Sequence, residues 1–419
     1  MKIADVSTPV LVLSLNTHGP LGIIRSLGRL GVPMYAVHGS KREVGECSRY
    51  CRQVFRWDFP KAQPGPLLEM LRKARRAIGR RAILLPTSDD TSVFVADHAD
   101  VLREFFLFPE QCHALPRALA SKKEAHALAR AYGIPTPDVM FPKSRTDVAN
   151  FAGGATYPIM LKAIDGTRCA RRTGVKMLIV RNSRELLEKY DQLEDPAEPN
   201  LMLQEYIPGE DDTIWMFNGY FNRHSECLFG MTGKKIRQAP VARGVTSLGI
   251  CLNNPVVEET TVRFMKTLGY RGILDIGYRY DARDCQYKLL DVNPRIGCTF
   301  RLFVAENGMD AARALYLDLT GQPVPPSTSR EGRKWLVETP DLKSSIEYYR
   351  LGKLTLRKWV ASFSGVQETA HFAWDDPWPF VNMCVQSSLT LLRRLFANGS
   401  ERRKHEAARR LSNSRKVAA

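Results

Sequence analysis

No stretch of the 419 residues approaches the roughly 20 consecutive apolar residues of a membrane-spanning helix. The basic, then apolar opening MKIADVSTPVLVLSL is interrupted by Asp5 and Pro9 and lacks a cleavage site. It predicts a first strand rather than an export signal. Metal-binding cysteine spacing is also missing. The nine cysteines are scattered, and an odd number argues against a disulfide framework. A reducing, cytoplasmic location is expected. Neither GxxxxGK(S/T) nor GxGxxG occurs, so the familiar glycine-rich phosphate fingerprints are absent. There is no internal repeat, no zinc finger and no basic stripe interleaved with aromatics.

What is present is positive charge. The formal net charge is +17, a field that attracts polyanions. Much of it lies at the end of the chain, in LLRRLF and ERRKHEAARRLSNSRK. No reading module demands DNA or RNA, and an anionic nucleotide substrate or an anionic membrane face would use the same charge. A composition of 44% hydrophobic and 25% charged residues is that of a globular protein, and the length predicts two or three domains.

The pattern along the chain is α/β. PVLVLSL (9–15), a glycine-bearing loop NTHGPLG, an apolar-periodic segment and VPMYAVH (32–38) read as strand, loop, helix, strand. A helix over 66–79 and a strand over 81–90 complete a small parallel-sheet domain over 1–115. SKKEAHALARAYG (121–133) predicts a helix capped by Ser121 and ended by Gly133. YPIMLKAI (157–164) reads as a strand, DGTRCARRTG (165–174) as a polar loop, and VKMLIV and LMLQEYI as further strands. ILDIGYRYD (273–281) and YKLLDVN (287–293) predict antiparallel neighbours. A helix over 307–321 precedes a Pro/Ser/Gly linker. The predicted domains are 1–115, then 116–325 (a small part over 120–205, a larger one over 206–325), then an extension over 326–399 packed on or beside it. A basic tail over 400–419 is expected to be disordered and dispensable.

KLLDVNPR (288–295) places Asp291 and Asn293 on one face of a strand. Asp275 lies sixteen residues before Asp291, on the preceding strand. A hairpin would let all three converge. Hard oxygen ligands with open positions suit Mg2+ held jointly with phosphates, with Mn2+ as an alternative; a polar strand end is the bland alternative. Lys162 ends an apolar strand before the polar loop, where it could reach a phosphate or simply snorkel to solvent.

The ordered set of Lys122/Lys123, YPIMLKAIDG, LMLQEYIPGED, GYRGILDIGY and KLLDVNPR resembles the ATP-grasp superfamily, over about 110–320. Residues 1–110 resemble its small pre-grasp α/β domain. The resemblance implies an ATP-grasp fold and ATP with Mg2+. It implies that Lys123, rather than Lys122, makes the first nucleotide contact. Lys162 and Thr167 would hold phosphates. Gln204, Glu205, Tyr206 and Ile207 would form the adenine hinge, Glu205 and Ile207 mainly through backbone groups. Asp211 or Asp212 would meet the ribose. Asp275, Asp291 and Asn293 would bind metal, and Arg295 would face the transferring phosphoryl group. The superfamily's metal strand usually carries Glu where this chain has Asp291.

TGKKIRQAPVARGVTSLG (232–249) resembles a segment of carboxylate–amine ligases of the D-aspartate ligase type. That would place Arg237 and Arg243 near a substrate carboxylate or an ATP phosphate; a solvated basic loop is the alternative. Asn16, Ser88 and Asp89 are candidates for the outer wall of the substrate pocket. The resemblance implies amide formation through an acyl phosphate, with release of ADP and phosphate, on a small amino-acid-like substrate. The alternatives are a ligase with a thiol or other nucleophile, a non-catalytic ATP-binding regulator, against which the complete set Asp275, Asp291 and Asn293 argues, and a nucleic-acid binder, against which the absence of any reading module argues. Small-molecule carboxylate and amine partners are expected, and a homodimer is allowed. PFVNMCVQSSLTLLRRLF (379–396) reads as a packed helix with a solvated basic end in preference to a segment lying on the inner face of a membrane.

Overall fold

The computed structural model describes residues 1–39, 43–57, 64–242 and 244–389. Three sheets organise them. The first is five-stranded and parallel: β1 (Val10–Leu13), β2 (Met34–His38), β3 (Cys51–Arg56), β4 (Ala82–Pro86) and β5 (Phe106–Leu107), in the order β3-β2-β1-β4-β5. The run VLVL of β1 is buried throughout because helices cover both faces of this sheet.

The second sheet is antiparallel. It holds β6 (Val139–Met140), β7 (Ile159–Ala163), β8 (Met177–Val180) and β9 (Leu201–Glu205), in the order β6-β9-β7-β8. The segment read as a polar loop after β7 is instead the helix Gly166–Thr173. Asp165 starts it by accepting from the Arg168 N–H at 2.9 Å, and Cys169 is buried as its inward anchor. Helix Lys122–Ala131 precedes this sheet; the Ser121 hydroxyl accepts from the Glu124 N–H at its start, and Gly133 takes a φ of +68° just past its end.

The third sheet has seven strands: β10 (Ile214–Phe221), β11 (Cys227–Ala239), β12 (Val245–Cys251), β13 (Gly272–Asp281), β14 (Gln286–Asn293), β15 (Lys334–Leu336) and β16 (Val366–Thr369), in the order β14-β13-β10-β11-β12-β15-β16. The basic segment 232–239 is therefore a strand, not a loop. The extension beyond 326 contributes β15 and β16 to this sheet, with β15 antiparallel to β12. Buried charge ties the extension to the rest. Arg25 of helix His18–Gly28 donates to Asp376 at 2.9 Å and to the Ala370 and His371 carbonyls. Arg301 and Arg333 converge on Glu368 at 2.7 and 2.6 Å.

Apolar residues of β10, β11 and β13 (Met216, Tyr220, Met231, Ile273) join Phe300, Leu302 and the first sheet's Val10 and Ile83 in one core. Phe217, Leu274 and Ile276, alternating with them, face helices Pro255–Thr267 and Lys122–Ala131 on the other side. The seven-stranded sheet thus has one face turned to the N-terminal domain, and that face carries the site.

The expected location, cytoplasmic with peripheral contact at the inner face of a membrane as an alternative, is corrected. Among the described residues no helix is long and apolar enough to cross a membrane. The basic end that prompted the idea, with the 400–419 tail, lies outside the described residues. The helix over 378–389 rests on the body through Asn382 on Cys47 and Met383 near Thr339. It leaves Trp378, Val381, Val385 and Leu389 exposed, so it is less fully packed than its sequence implied.

Candidate active site

β13 and β14 bring the acid set together. Asp275 pairs in register with Asn293, and Gly277 with Asp291. Directly opposed residues share a face, so Asp275, Asp291 and Asn293 lie on the same side of the sheet. The Asn293 amide donates to Asp275 Oδ2 at 3.4 Å. Burial pushes the Asp275 carboxyl up to about 6, with Arg295 opposing that rise and Asp291 and Asp89 adding to it. Gly297 crosses directly over this carboxylate. A Cβ there would meet Asp275 Cγ at 2.4 Å, so the close approach requires glycine.

Arg295 follows on the loop after β14. Its Nε donates to Asp89 Oδ1 at 2.9 Å and its Nη2 to Asn293 Oδ1 at 2.9 Å, while Nη1 lies 4.0 Å from Asp275 Oδ2. Asp89 opens helix Asp89–Asp97 of the N-terminal domain, where the Ser88 hydroxyl accepts from the Thr91 N–H as its cap. Ser88, a candidate for the pocket wall, is therefore spent on capping. Asn16 is exposed in the loop after β1, and its N–H donates to the Ser14 hydroxyl at 3.4 Å.

A cleft lies between β7, β9 and β14, lined by Lys122, Lys162, Gln204, Leu289, Asp291 and Val292 among others. Lys122 Nζ donates to the Ile164 carbonyl at 2.7 Å, which turns it inward. Lys162 faces Asp291; burial lowers its pKa, and Asp291 opposes that. Lys235 of β11 completes the cationic side. Its Nζ donates to the Gly244 carbonyl at 2.8 Å and to Gln238 at 3.2 Å. Burial lowers its pKa to about 8, against the pull of Asp211, Asp275 and Asp291.

In the segment expected to form the adenine hinge, Gln204 is buried. The Glu205 carboxylate is held by Arg283 and by Lys288, 3.6 Å away, and caps the Asp138 N–H at 3.1 Å. Its side chain thus braces the hinge to the hairpin. Arg279 lies 5.6 Å over the Tyr206 ring, and Ile207 is buried.

The donor set tests the expected ligands. Among the described residues no three His, Cys, Asp or Glu side chains form a metal cluster. Two carboxylates and an amide oxygen beside a lysine-lined cleft fit Mg2+ shared with phosphates better than a protein-only cage. Asn293 Oδ1 accepts one bond from Arg295 and keeps a second acceptor position, so it fits as a ligand beside the Asp275 and Asp291 carboxylates.

No family model matches the chain. A D-aspartate ligase of Enterococcus faecium (strain Aus0004) is 22% identical over 259 residues, 58% of this chain and 61% of that protein. The chain thus matches less than two-thirds of that relative's length. Among solved structures, the N5-carboxyaminoimidazole synthetase from Staphylococcus aureus complexed with ADP superposes with a TM-score of 0.62 at 11% identity, covering 84% of this chain and 87% of that one. The L-amino acid ligase from Bacillus licheniformis gives 0.58 at 14% identity, covering 77% and 78%.

The chain has an ATP-grasp fold. Several of the expected site residues lie apart from the cleft. Lys123 is exposed and sits 5.8 Å over the Phe141 ring, away from the cleft that Lys122 enters. The preference for Lys123 is therefore reversed: the first turn of a helix can aim only one of two neighbouring side chains inward. Arg237 is withdrawn from the substrate side. It is 3% exposed, its Nε and Nη2 donate to Asp341 at 2.8 Å each, and its Nη1 donates to Ser362 at 2.7 Å. A buried guanidinium needs such a partner, and Asp341 of the extension supplies it. Arg243 lies outside the described residues, and Thr167 stands in the helix after β7. Asp212 is 64% exposed and 3.8 Å from Lys234, whereas Asp211 turns toward Gln238 and Tyr348. The residues that sequence reasoning passed over are Lys235, named only within a basic run, and Tyr348. No local motif marks either of them.

Proposed function

We propose that the protein is an ATP-dependent carboxylate–amine ligase, forming an amide on a small amino-acid-like substrate with release of ADP and phosphate. One observation carries the reading: Asp275 and Asp291 share a face that opens onto the Lys122–Lys162 cleft, and Arg295 bridges that face to Asp89 of the N-terminal domain. The names of the similar ligases above support the reaction class.

In this reading Lys122 and Lys162 hold the inner phosphates, and Lys235 balances the carboxylates. Asp275 and Asp291 would hold Mg2+, which supplies charge neutralisation at the phosphates. Arg295 stands at the terminal phosphoryl group, poised by Asp89 and Asn293. A carboxylate oxygen of the substrate attacks the γ-phosphorus and ADP leaves. The amine nitrogen then attacks the acyl carbon, loses a proton, and phosphate leaves. Preorganised cations in a partly dried site lower both barriers because they need no reorientation as charge moves. A screen of acid–amine pairs for ADP release, with mass spectrometry of the product, tests the reading. An amide formed in step with ADP supports it; ADP release with no condensed product rejects it.

A further inference from the structure

The contact between the C-terminal extension and the turn after the hinge has no role in the chemistry above. Helix Glu338–Arg350 of the extension is fixed by the buried Asp341–Arg237 pair at 2.8 Å and by Ser247, which donates to Asp341 at 3.1 Å. From this anchored helix the Tyr348 hydroxyl donates to Asp211 Oδ2 and accepts from the Gln238 N–H at 3.3 Å. Gln238 Nε2 donates to the other oxygen, Asp211 Oδ1, at 2.7 Å. Just beyond the helix, Lys353 pairs with Glu210 at 2.8 Å. Two successive residues of the turn after Ile207 are thus gripped from the extension.

We propose that Tyr348 is a positioning residue: with Gln238 it holds Asp211 aimed so that the carboxylate accepts the vicinal hydroxyls of a ribose. This rests on the nucleotide reading above. A carboxylate has about four acceptor positions, and Gln238 and Tyr348 use one on each oxygen. The two that remain match a 1,2-diol. Burial pushes the Asp211 carboxyl up, and the Gln238 donor and Lys235 oppose that rise. Lys235 follows Met231 on the face of β11 turned to the first sheet, and its Nζ donates at 3.2 Å to the same Gln238 that holds Asp211, which puts this carboxylate beside the face that carries the acid set. Asp212, exposed and directed to Lys234, is not so placed. The extension is then a wall of the nucleotide site, and its docking sets nucleoside affinity.

The test is calorimetric binding of Mg-ADP and of Mg-2′,3′-dideoxy-ADP to the full chain. The wild type is expected to prefer ADP by about tenfold or more, the scale of hydrogen bonds to a charged acceptor. Tyr348→Phe should cut that preference to about threefold or less while leaving dideoxy-ADP affinity within about twofold. A purely structural role would weaken both nucleotides equally and leave the ratio unchanged, and that result overturns the proposal. Asp211→Asn reads the same ratio where Tyr348→Phe does not fold. A retained preference in Asp211→Asn also overturns it. Equal binding of the two nucleotides by the wild type rejects this proposal alone, whereas binding of neither rejects the nucleotide reading with it.

Discussion

Arg295 donates through Nε to Asp89 Oδ1 at 2.9 Å, joining groups 206 residues apart in sequence. The pair spans the boundary between the parallel sheet and the seven-stranded sheet. Arg295 is 16% exposed and Asp89 44%, so the bond is reachable by ligand and solvent from one side. The same guanidinium touches Asn293 and approaches Asp275. Its direction is therefore set by three groups on two domains.

Removing that guanidinium should damage turnover more than binding. Arg295→Ala is expected to lower kcat on the order of 10²–10³-fold while changing Mg-ADP affinity by about threefold or less, because its charge matters chiefly as the phosphoryl group transfers. Asp89→Asn, which keeps the shape and removes the charge, should lower kcat by about tenfold. Steady-state ADP release and calorimetry separate the two effects. A large loss of affinity with kcat intact would move Arg295 out of the proposed role.

The two neighbouring lysines should part company. Lys122→Ala and Lys162→Ala are each expected to weaken ADP by about tenfold, the loss of one charge-assisted contact to phosphate. Lys123→Ala should stay within about twofold, since Lys123 lies over Phe141 at the surface. Equilibrium binding of ADP to the three variants decides between the residues.

Arg237 should report on stability. Arg237→Ala leaves Asp341 buried and unpaired, and the expected cost is about 3–5 kcal/mol in chemical denaturation. Replacing both partners with apolar residues, Arg237→Met with Asp341→Leu, should recover most of it. A variant Arg237→Ala of normal stability but lost substrate affinity would return this residue to the substrate side.

Acid should loosen the extension before the rest. Arg301 and Arg333 hold the Glu368 carboxyl down to about 2 against the cost of its burial, and His371 does the same for Glu338, also to about 2. Both folded values lie below the unfolded one near 4.5. Their stabilisation is thus complete above about 4.5 and fades as pH falls toward about 2. Fluorescence of Trp335, which is 1% exposed, should report the change in that window. Glu368→Gln should flatten part of the profile.

Much of this architecture is legible in the sequence because periodicity is local. PVLVLSL and VPMYAVH carry the run of a covered parallel strand, and KLLDVNPR with GILDIGY carries the alternation that sets Asp275, Asp291 and Asn293 on one face. What alternation misses is a shift in pairing. Lys235 and Arg237 are two apart and should share a face, but a register shift pairs them with Gly249 and Leu248, adjacent residues that point opposite ways. One lysine meets the acids, and the arginine goes to Asp341. The choice between Lys122 and Lys123 depends on the rotation of one helix against β14, which no local signal encodes. DGTRCARRTG reads as a loop from its polarity, yet Cys169 buries and Asp165 caps, and a helix forms. Tyr348 meets Asp211 across 137 residues of sequence, a contact that only the folded extension reveals.

The central claim is that a carboxylate attacks the γ-phosphorus before the amine arrives. Phosphorus NMR of a complete reaction run with an 18O-labelled carboxylate substrate tests it most directly. The account predicts ADP and inorganic phosphate, with the phosphate carrying one 18O from the acid and its signal displaced accordingly. Pyrophosphate with AMP, or phosphate without label, would contradict it.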